Sequence, residues 1–290
     1  MDAMSLSHGE ITHVSDTALM VAACRALESE CPDGFVHDPS FAARLAGERG
    51  MAMLRGLPQP EMRRFGIGVR CRFMDELVLE ALASKPITTV LSVGCGLDTR
   101  PWRLELPPAL RWIEVDFADM LDYKDALISA APRCRRERLT ADLNDVAQRR
   151  TIYTAAGPAP ALMITEGLLM YLPGATVEAL AAEARQESGV AHWMSDVTTA
   201  AFGKAIATDR TVDPMRPVRK VQAPDSLQGE QILDCLHRHG WVTEARRSYI
   251  TDMAFAAERI QRMMSTNPRP GGTPAFPPDD PTGVHRFARG

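Results

Sequence analysis

The chain has 290 residues, enough for one large domain or a domain with a small lid. At this length a fold buries roughly three quarters of its unfolded surface and needs no covalent staples. Hydrophobic residues at 45% and charged residues at 24% exclude disorder as the main state, and a net charge of −4 (33 Lys and Arg, 37 Asp and Glu) argues against nucleic acid as the main partner.

The N-terminus has no basic segment followed by a long apolar run, so no secretory signal is expected. Its apolar stretches fall well short of the about 20 residues that span a bilayer, so no membrane partner is expected either. The six cysteines, Cys24, Cys31, Cys71, Cys95, Cys134 and Cys235, show no C-x-x-C pair and no zinc-finger spacing. They read as reduced thiols rather than as metal ligands or disulfides, which points to a cytoplasmic location.

Apolar residues at helical spacing (Ala18, Leu19, Ala22, Ala23, Ala26, Leu27) predict a first helix over 15–31. Further helices are predicted over 40–55 and 61–84, so residues 1–84 form an N-terminal helical segment covering the rest. The pattern changes after Lys85-Pro86. Short β-branched, apolar runs predict strands at 87–93, 110–116, 159–166 and 189–196, with a weak strand or exit loop at 138–143. Helices at 117–131, 144–155 and 175–187 alternate with them. The expected fold class is therefore α/β: a Rossmann-like, mostly parallel sheet with helices on both faces. Residues 197–225, with Pro214, Pro217 and Pro224, interrupt the alternation and read as an inserted lid within an 85–290 core. A helix at 226–239 and a strand at 241–250 restore it. Six prolines between 266 and 283 predict an extended loop, and 284–288 a last edge strand.

The first strand ends in Gly94-Cys95-Gly96. Glycines there permit a tight turn at the carboxyl end of a strand, where open α/β sheets bind ligands. Thr99 stands where a dinucleotide fingerprint has its third glycine, which counts against NAD or FAD. The next strand ends in Asp116, a carboxylate able to accept both ribose hydroxyls of a nucleoside. A ligand with an adenosine ribose and no diphosphate fits best, namely S-adenosylmethionine.

The segments V-L-S-V-G-C-G-L-D-T-R-P-W-R-L, R-W-I-E-V-D, T-A-D-L and I-T-E-G-L-L-M-Y-L resemble the leucine carboxyl methyltransferase family. They are most similar to its bacterial polyketide O-methyltransferase branch. T-A-L-M-V-A-A-C-R-A-L-E and G-F-V-H-D-P carry the same resemblance, which covers roughly residues 15–255. It implies that Gly94, Cys95 and Gly96 face the methionine part of the cofactor and that Asp116 holds the ribose. It implies Asp142 and Leu143 at the adenine, and Arg70 on the cofactor carboxylate with Arg72 as its competitor. Arg25 sits where eukaryotic carboxyl methyltransferases have a lysine near the cofactor. Glu166 is implied near the amino group and sulfonium, with Tyr171 closing the same wall. Structural alternatives stand beside these roles: helix caps for Asp116 and Asp142, backbone binding for Glu166, and solvated helix charges for Arg70 and Arg72. Arg100 and Arg103 read as internal salt bridges, and Arg133–Arg138 as a solvated loop.

Methyl transfer from a sulfonium is an in-line displacement, so alignment and exclusion of water matter most. A carboxylate acceptor needs no base, whereas a hydroxyl benefits from one. Tyr171, His192 and Asp196 are the base candidates, the last two read at the end of the fifth strand. Met20, Met51, Met53, Met194, Met215, Trp193 and Phe202 are candidates for a soft apolar pocket. Arg216, Arg219 and Lys220 either attract an acidic acceptor or are solvated. The expected activity is S-adenosylmethionine-dependent O-methylation of a small-molecule partner, a carboxylate or hydroxyl of a polyketide-like metabolite. The alternatives are methylation of a protein C-terminal carboxyl group, an NAD-dependent oxidoreductase, and a binding protein without catalysis.

Overall fold

A computed structural model describes residues 11–38, 40–187, 189–206, 216–266, 276–277 and 279–290. Three helices come first, α1 (Val14–Ser29), α2 (Ala42–Gly56) and α3 (Pro60–Ser84). A capping box at His13 and Asp16 starts α1, and Pro60 starts α3 at a position where a missing N–H costs nothing. The alternation follows: β1 (Thr89–Val93), α4 (Arg100–Arg103), β2 (Arg111–Asp116), α5 (Ala118–Leu127), β3 (Arg135–Thr140), α6 (Val146–Ala156), β4 (Ala161–Thr165), α7 (Gly174–Gln186) and β5 (Val190–Val197). Beyond it lie α8 (Ala200–Ile206), α9 (Arg216–Arg219), α10 (Glu230–Arg238), β6 (Trp241–Ser248), α11 (Ala257–Thr266) and β7 (Gly283–Arg289).

Among the described residues the strands form one seven-stranded sheet in the order β3-β2-β1-β4-β5-β7-β6. All neighbours are parallel except β7, which runs antiparallel to both β5 and β6. Every residue of β1 and β4 is buried, which is why both read as continuous apolar runs rather than alternating ones. On one face Leu91, Ile113, Met163 and Trp193 pack against Ile152, Leu180 and Leu236 of α6, α7 and α10. On the other, Val90, Trp112, Leu162 and Met194 pack against Phe73, Met74 and Leu77 of α3. The chain order reverses between β1 and β4, so a crevice opens at their carboxyl ends.

Four expectations change. Residues 284–288 are not an edge: β7 lies inside the sheet and β6 is the edge. The segment 133–138 is not a solvated loop, because β3 starts at Arg135. There Arg136 donates from Nε to the buried Glu114 at 2.7 Å, and Arg138 pairs with Asp122 and Asp125. His192 stands near the start of β5, not at its end. Finally, α11 forms where the sequence pattern predicts no element. Residues 207–215 of the expected insertion, with Pro214, lie outside the described residues, as do 267–275 and 278 of the proline-rich loop. No helix among the described residues is long and apolar enough to cross a membrane.

Candidate active site

A cavity of about 1250 Å³ opens at the carboxyl ends of β1, β2, β4 and β5, roofed by α1, α3, α8 and α11. It is lined by Arg25, Arg70, Gly94, Cys95, Gly96, Asp116, Asp142, Leu143, Glu166, Tyr171 and Asp196. Of the candidate site residues, His192 is the one the fold places elsewhere. Its Nδ1 lies 3.1 Å from Glu244 on β6, and burial holds its pKa below the usual imidazole range. A ring at the opposite end of β5 cannot reach a proton in the crevice. The Arg72 guanidinium bonds Glu76 at 2.8 Å one helical turn away and is half-exposed, so of the two competing arginines Arg70 faces the cavity.

The turn after β1 needs its glycines. Gly94 and Gly96 have φ of 62° and 46°, and a Cβ on Gly94 would lie 2.6 Å from the Leu168 side chain. The Gly96 amide donates to Asp116 Oδ2 at 2.7 Å, and the Phe117 amide to Oδ1 at 2.8 Å. Both carboxylate oxygens are thereby fixed at the tip of β2. Burial raises the Asp116 pKa, with the two N–H bonds opposing it. Asp142 accepts from the Asn144 amide at 2.9 Å, while Asp145 caps α6, so Asp142 is not that helix's cap. The Leu143 carbonyl is held by Arg149 at 2.7 Å.

A chain of buried ion pairs forms one wall. Glu166 receives Arg70 Nε at 2.9 Å and Arg100 Nη1 at 2.7 Å. Arg100 continues to Asp75 at 2.7 Å and Asp98 at 3.2 Å, and Arg103 bonds the same Asp75 at 2.8 Å. Arg70 also reaches Asp196 at 3.4 Å, whose other oxygen accepts the Gly167 amide at 2.6 Å. Burial works to raise the Glu166 pKa, yet Arg100 and Arg70 outweigh it and the net shift is downward. The same contest leaves Asp98 at about 2, with Arg100 and Arg103 prevailing over burial. Glu166 is thus bound by side chains, not by backbone amides, and Arg100 and Arg103 do form internal salt bridges. Arg25 donates to the Leu97 carbonyl at 2.6 Å and lies 3.4 Å from Asp38, tying α1 to the glycine turn.

Tyr171 lines the cavity, and burial pushes its phenol pKa up. The apolar part of the cavity differs from expectation. Met20 and Phe202 line it, but Met53, Met194 and Trp193 are fully buried in the core and Met51 packs against the α1–α2 cluster. Met215 and the Arg216 side chain lie outside the described residues, and Arg219 and Lys220 do not line the cavity. In their place stand Tyr249, Met253 and, from α11, Met263 and Met264. Sequence reasoning missed these because nothing in local pattern brings a C-terminal helix to the crevice. It also missed Asp98, which the G-L-D-T-R block contained.

A sheet of this order with a glycine turn at its switch point is a Rossmann-like nucleotide-binding architecture. The chain belongs to the leucine carboxyl methyltransferase family, whose profile matches residues 18–184. A relative from Mycobacteroides abscessus, named as an S-adenosyl-L-methionine-dependent methyltransferase, is 37% identical over 184 residues, 59% of this chain and 58% of that protein. The chain thus spans less than two thirds of that relative's length. A Streptomyces avermitilis relative of the same named activity is 31% identical over 273 residues, 88% of this chain and 92% of its own. The crystal structure of a DUF574 family protein from Streptomyces avermitilis shares the fold, with a TM-score of 0.56 at 16% identity, covering 92% of this chain and 96% of that one. The cofactor is S-adenosylmethionine.

Proposed function

We propose that the protein methylates an oxygen, carboxylate or hydroxyl, of a small molecule such as a polyketide-like metabolite. The observation that supports this reading is a single cavity that is polar at the strand ends and apolar beyond them. The residues present suit the cofactor. The Gly94–Gly96 turn leaves room where a side chain would collide with Leu168. Asp116 uses about two of the four lone-pair sites of a carboxylate on backbone amides and keeps the rest for ribose hydroxyls. Asp142 and Leu143 would meet the adenine. Arg70 spends its Nε and one terminal nitrogen on Glu166 and Asp196, and its remaining N–H groups suit the cofactor carboxylate, with Arg25 lining the same cavity. Glu166, held ionised by two arginines, favours the cationic end of the molecule.

When bound, S-adenosylmethionine supplies a methyl group on a sulfonium that passes in line to the acceptor oxygen. The chain's own residues hold and align the two partners and exclude water. For a hydroxyl acceptor, Asp196 is the carboxylate positioned to take the proton. Methylation of a protein C-terminal carboxyl group is the second reading, favoured by the family's description. Labelled methyl transfer to phenols, small acids and a leucine-ending peptide separates the two. A base-stable ether or small ester supports the proposal, and label on the peptide alone overturns it.

A further inference from the structure

The far end of the cavity differs in chemistry from the strand ends. Phe202 and Phe276 stack there with centroids 5.5 Å apart, and Met253, Met263 and Met264 line the same space. Tyr249 stands where the two ends meet. Its ring stacks on Phe73 at 5.9 Å and touches Phe202 at 6.2 Å. Its hydroxyl is shielded from solvent and has no hydrogen-bond partner among the described residues. Burial, then the nearby Asp196, raises the phenol pKa well above its usual value. A shielded donor without an acceptor is costly, and an incoming ligand oxygen would relieve that cost.

Two further observations describe the ligand. Sites for one drug-sized molecule occupy about 300–1000 Å³, so a cavity of about 1250 Å³ has room for a second molecule beside the cofactor. The buried ion chain sets Asp75, Asp98, Glu166 and Asp196 against Arg70, Arg100 and Arg103, four formal negative charges against three positive. The other charged residues lining the cavity add Glu61, Asp116 and Asp142 against Arg25 and Arg63, so the balance becomes seven negative to five positive, which favours a sulfonium and disfavours an anionic acceptor.

We propose that this end is the acceptor subsite, that it takes a flat, carbon-rich, uncharged hydroxyl compound, and that the Tyr249 hydroxyl donates a hydrogen bond to the acceptor's oxygen. The inference rests on the O-methylation reading and narrows its oxygen to a hydroxyl.

Calorimetry on the protein loaded with S-adenosylhomocysteine tests it, with 2-naphthol and 2-naphthoate as probes. We expect 2-naphthol to bind and 2-naphthoate to bind at least about tenfold more weakly. Tyr249→Phe should weaken 2-naphthol about fivefold to tenfold, the worth of one hydrogen bond. The same variant should leave S-adenosylhomocysteine affinity unchanged and should not lower the melting temperature, since it removes a shielded donor and keeps the ring. A merely structural tyrosine would show the opposite pair of results. Met263→Glu, which puts a charge among the apolar side chains, should abolish 2-naphthol binding. Intact S-adenosylhomocysteine binding with no 2-naphthol binding, equal affinity for naphthoate, or an unaffected Tyr249→Phe variant overturns the subsite alone. Failure of S-adenosylhomocysteine to bind overturns the cofactor site and the subsite together.

Discussion

At the strand ends, each polar group that faces the cavity is itself held. Asp116 is fixed by two amides, Glu166 by two arginines, and Asp196 by the Gly167 amide. At the far end the lining is methionine and aromatic, carried on α8, α11 and the loops beside them rather than on the sheet. Arg259 ties α11 to the buried Glu28 of α1 at 2.5 and 2.8 Å. A ligand at the strand ends would meet groups already fixed, whereas one at the far end would meet side chains able to repack. A family can therefore keep its cofactor while its acceptors diverge.

The contrast can be broken from the rigid side first. Glu166→Gln leaves Arg70 and Arg100 short of a buried counter-charge, and should lower the unfolding free energy by about 3 kcal/mol in urea titrations. A loss under about 1 kcal/mol would mean that the ion chain does not hold this end. Asp116→Ala removes the carboxylate proposed to hold the ribose and should weaken S-adenosylhomocysteine about 100-fold by calorimetry. Retained affinity would remove Asp116 from the cofactor site.

Acidification sharpens the same point. Asp98 is held at about 2 and Glu166 below its ordinary value, so both lose protons more readily folded than unfolded. Their stabilisation is complete above the unfolded carboxyl range near pH 4 to 4.5 and is lost as pH falls toward 2. Asp98 alone should account for about 1 kcal/mol between pH 5 and pH 3, measured by urea unfolding at each pH. Stability that rises on acidification through this window would contradict the assignment. The smallest effect belongs to His192→Gln. With its ring on Glu244 at the far end of β5, methyl transfer should stay within about twofold and stability within about 0.5 kcal/mol. A large rate loss would return His192 to the reaction.

The parts legible in the sequence were those with a local signature. The strands β1, β2 and β4 showed as apolar runs, and the glycine turn and Asp116 marked the strand tips. The ion chain was not legible as a chain, because its partners are far apart in sequence: Arg70 and Glu166 by 96 positions, Arg100 and Glu166 by 66. The interior place of β7 was hidden by its polarity. Its His285 and Arg286 are buried only because each finds a partner: Nε2–H donates to the Pro281 carbonyl at 2.7 Å, and Arg286 reaches Glu244 at 2.7 Å and the Leu77 carbonyl at 3.1 Å. Polar β3 misled in the same way, since an ion-paired edge strand reads as a charged loop.

The position of β7 also sets the order in which the protein can be completed on the ribosome. β6 pairs within the sheet only with β7, yet residues 249–282 separate the two. Until residues 283–289 emerge, β5 and β6 each present an unpaired edge, and the nascent chain carries two open templates for aggregation. A transcript or protease cut that removed this segment would leave the glycine turn and Asp116 intact in sequence, but the sheet beneath the crevice would be split.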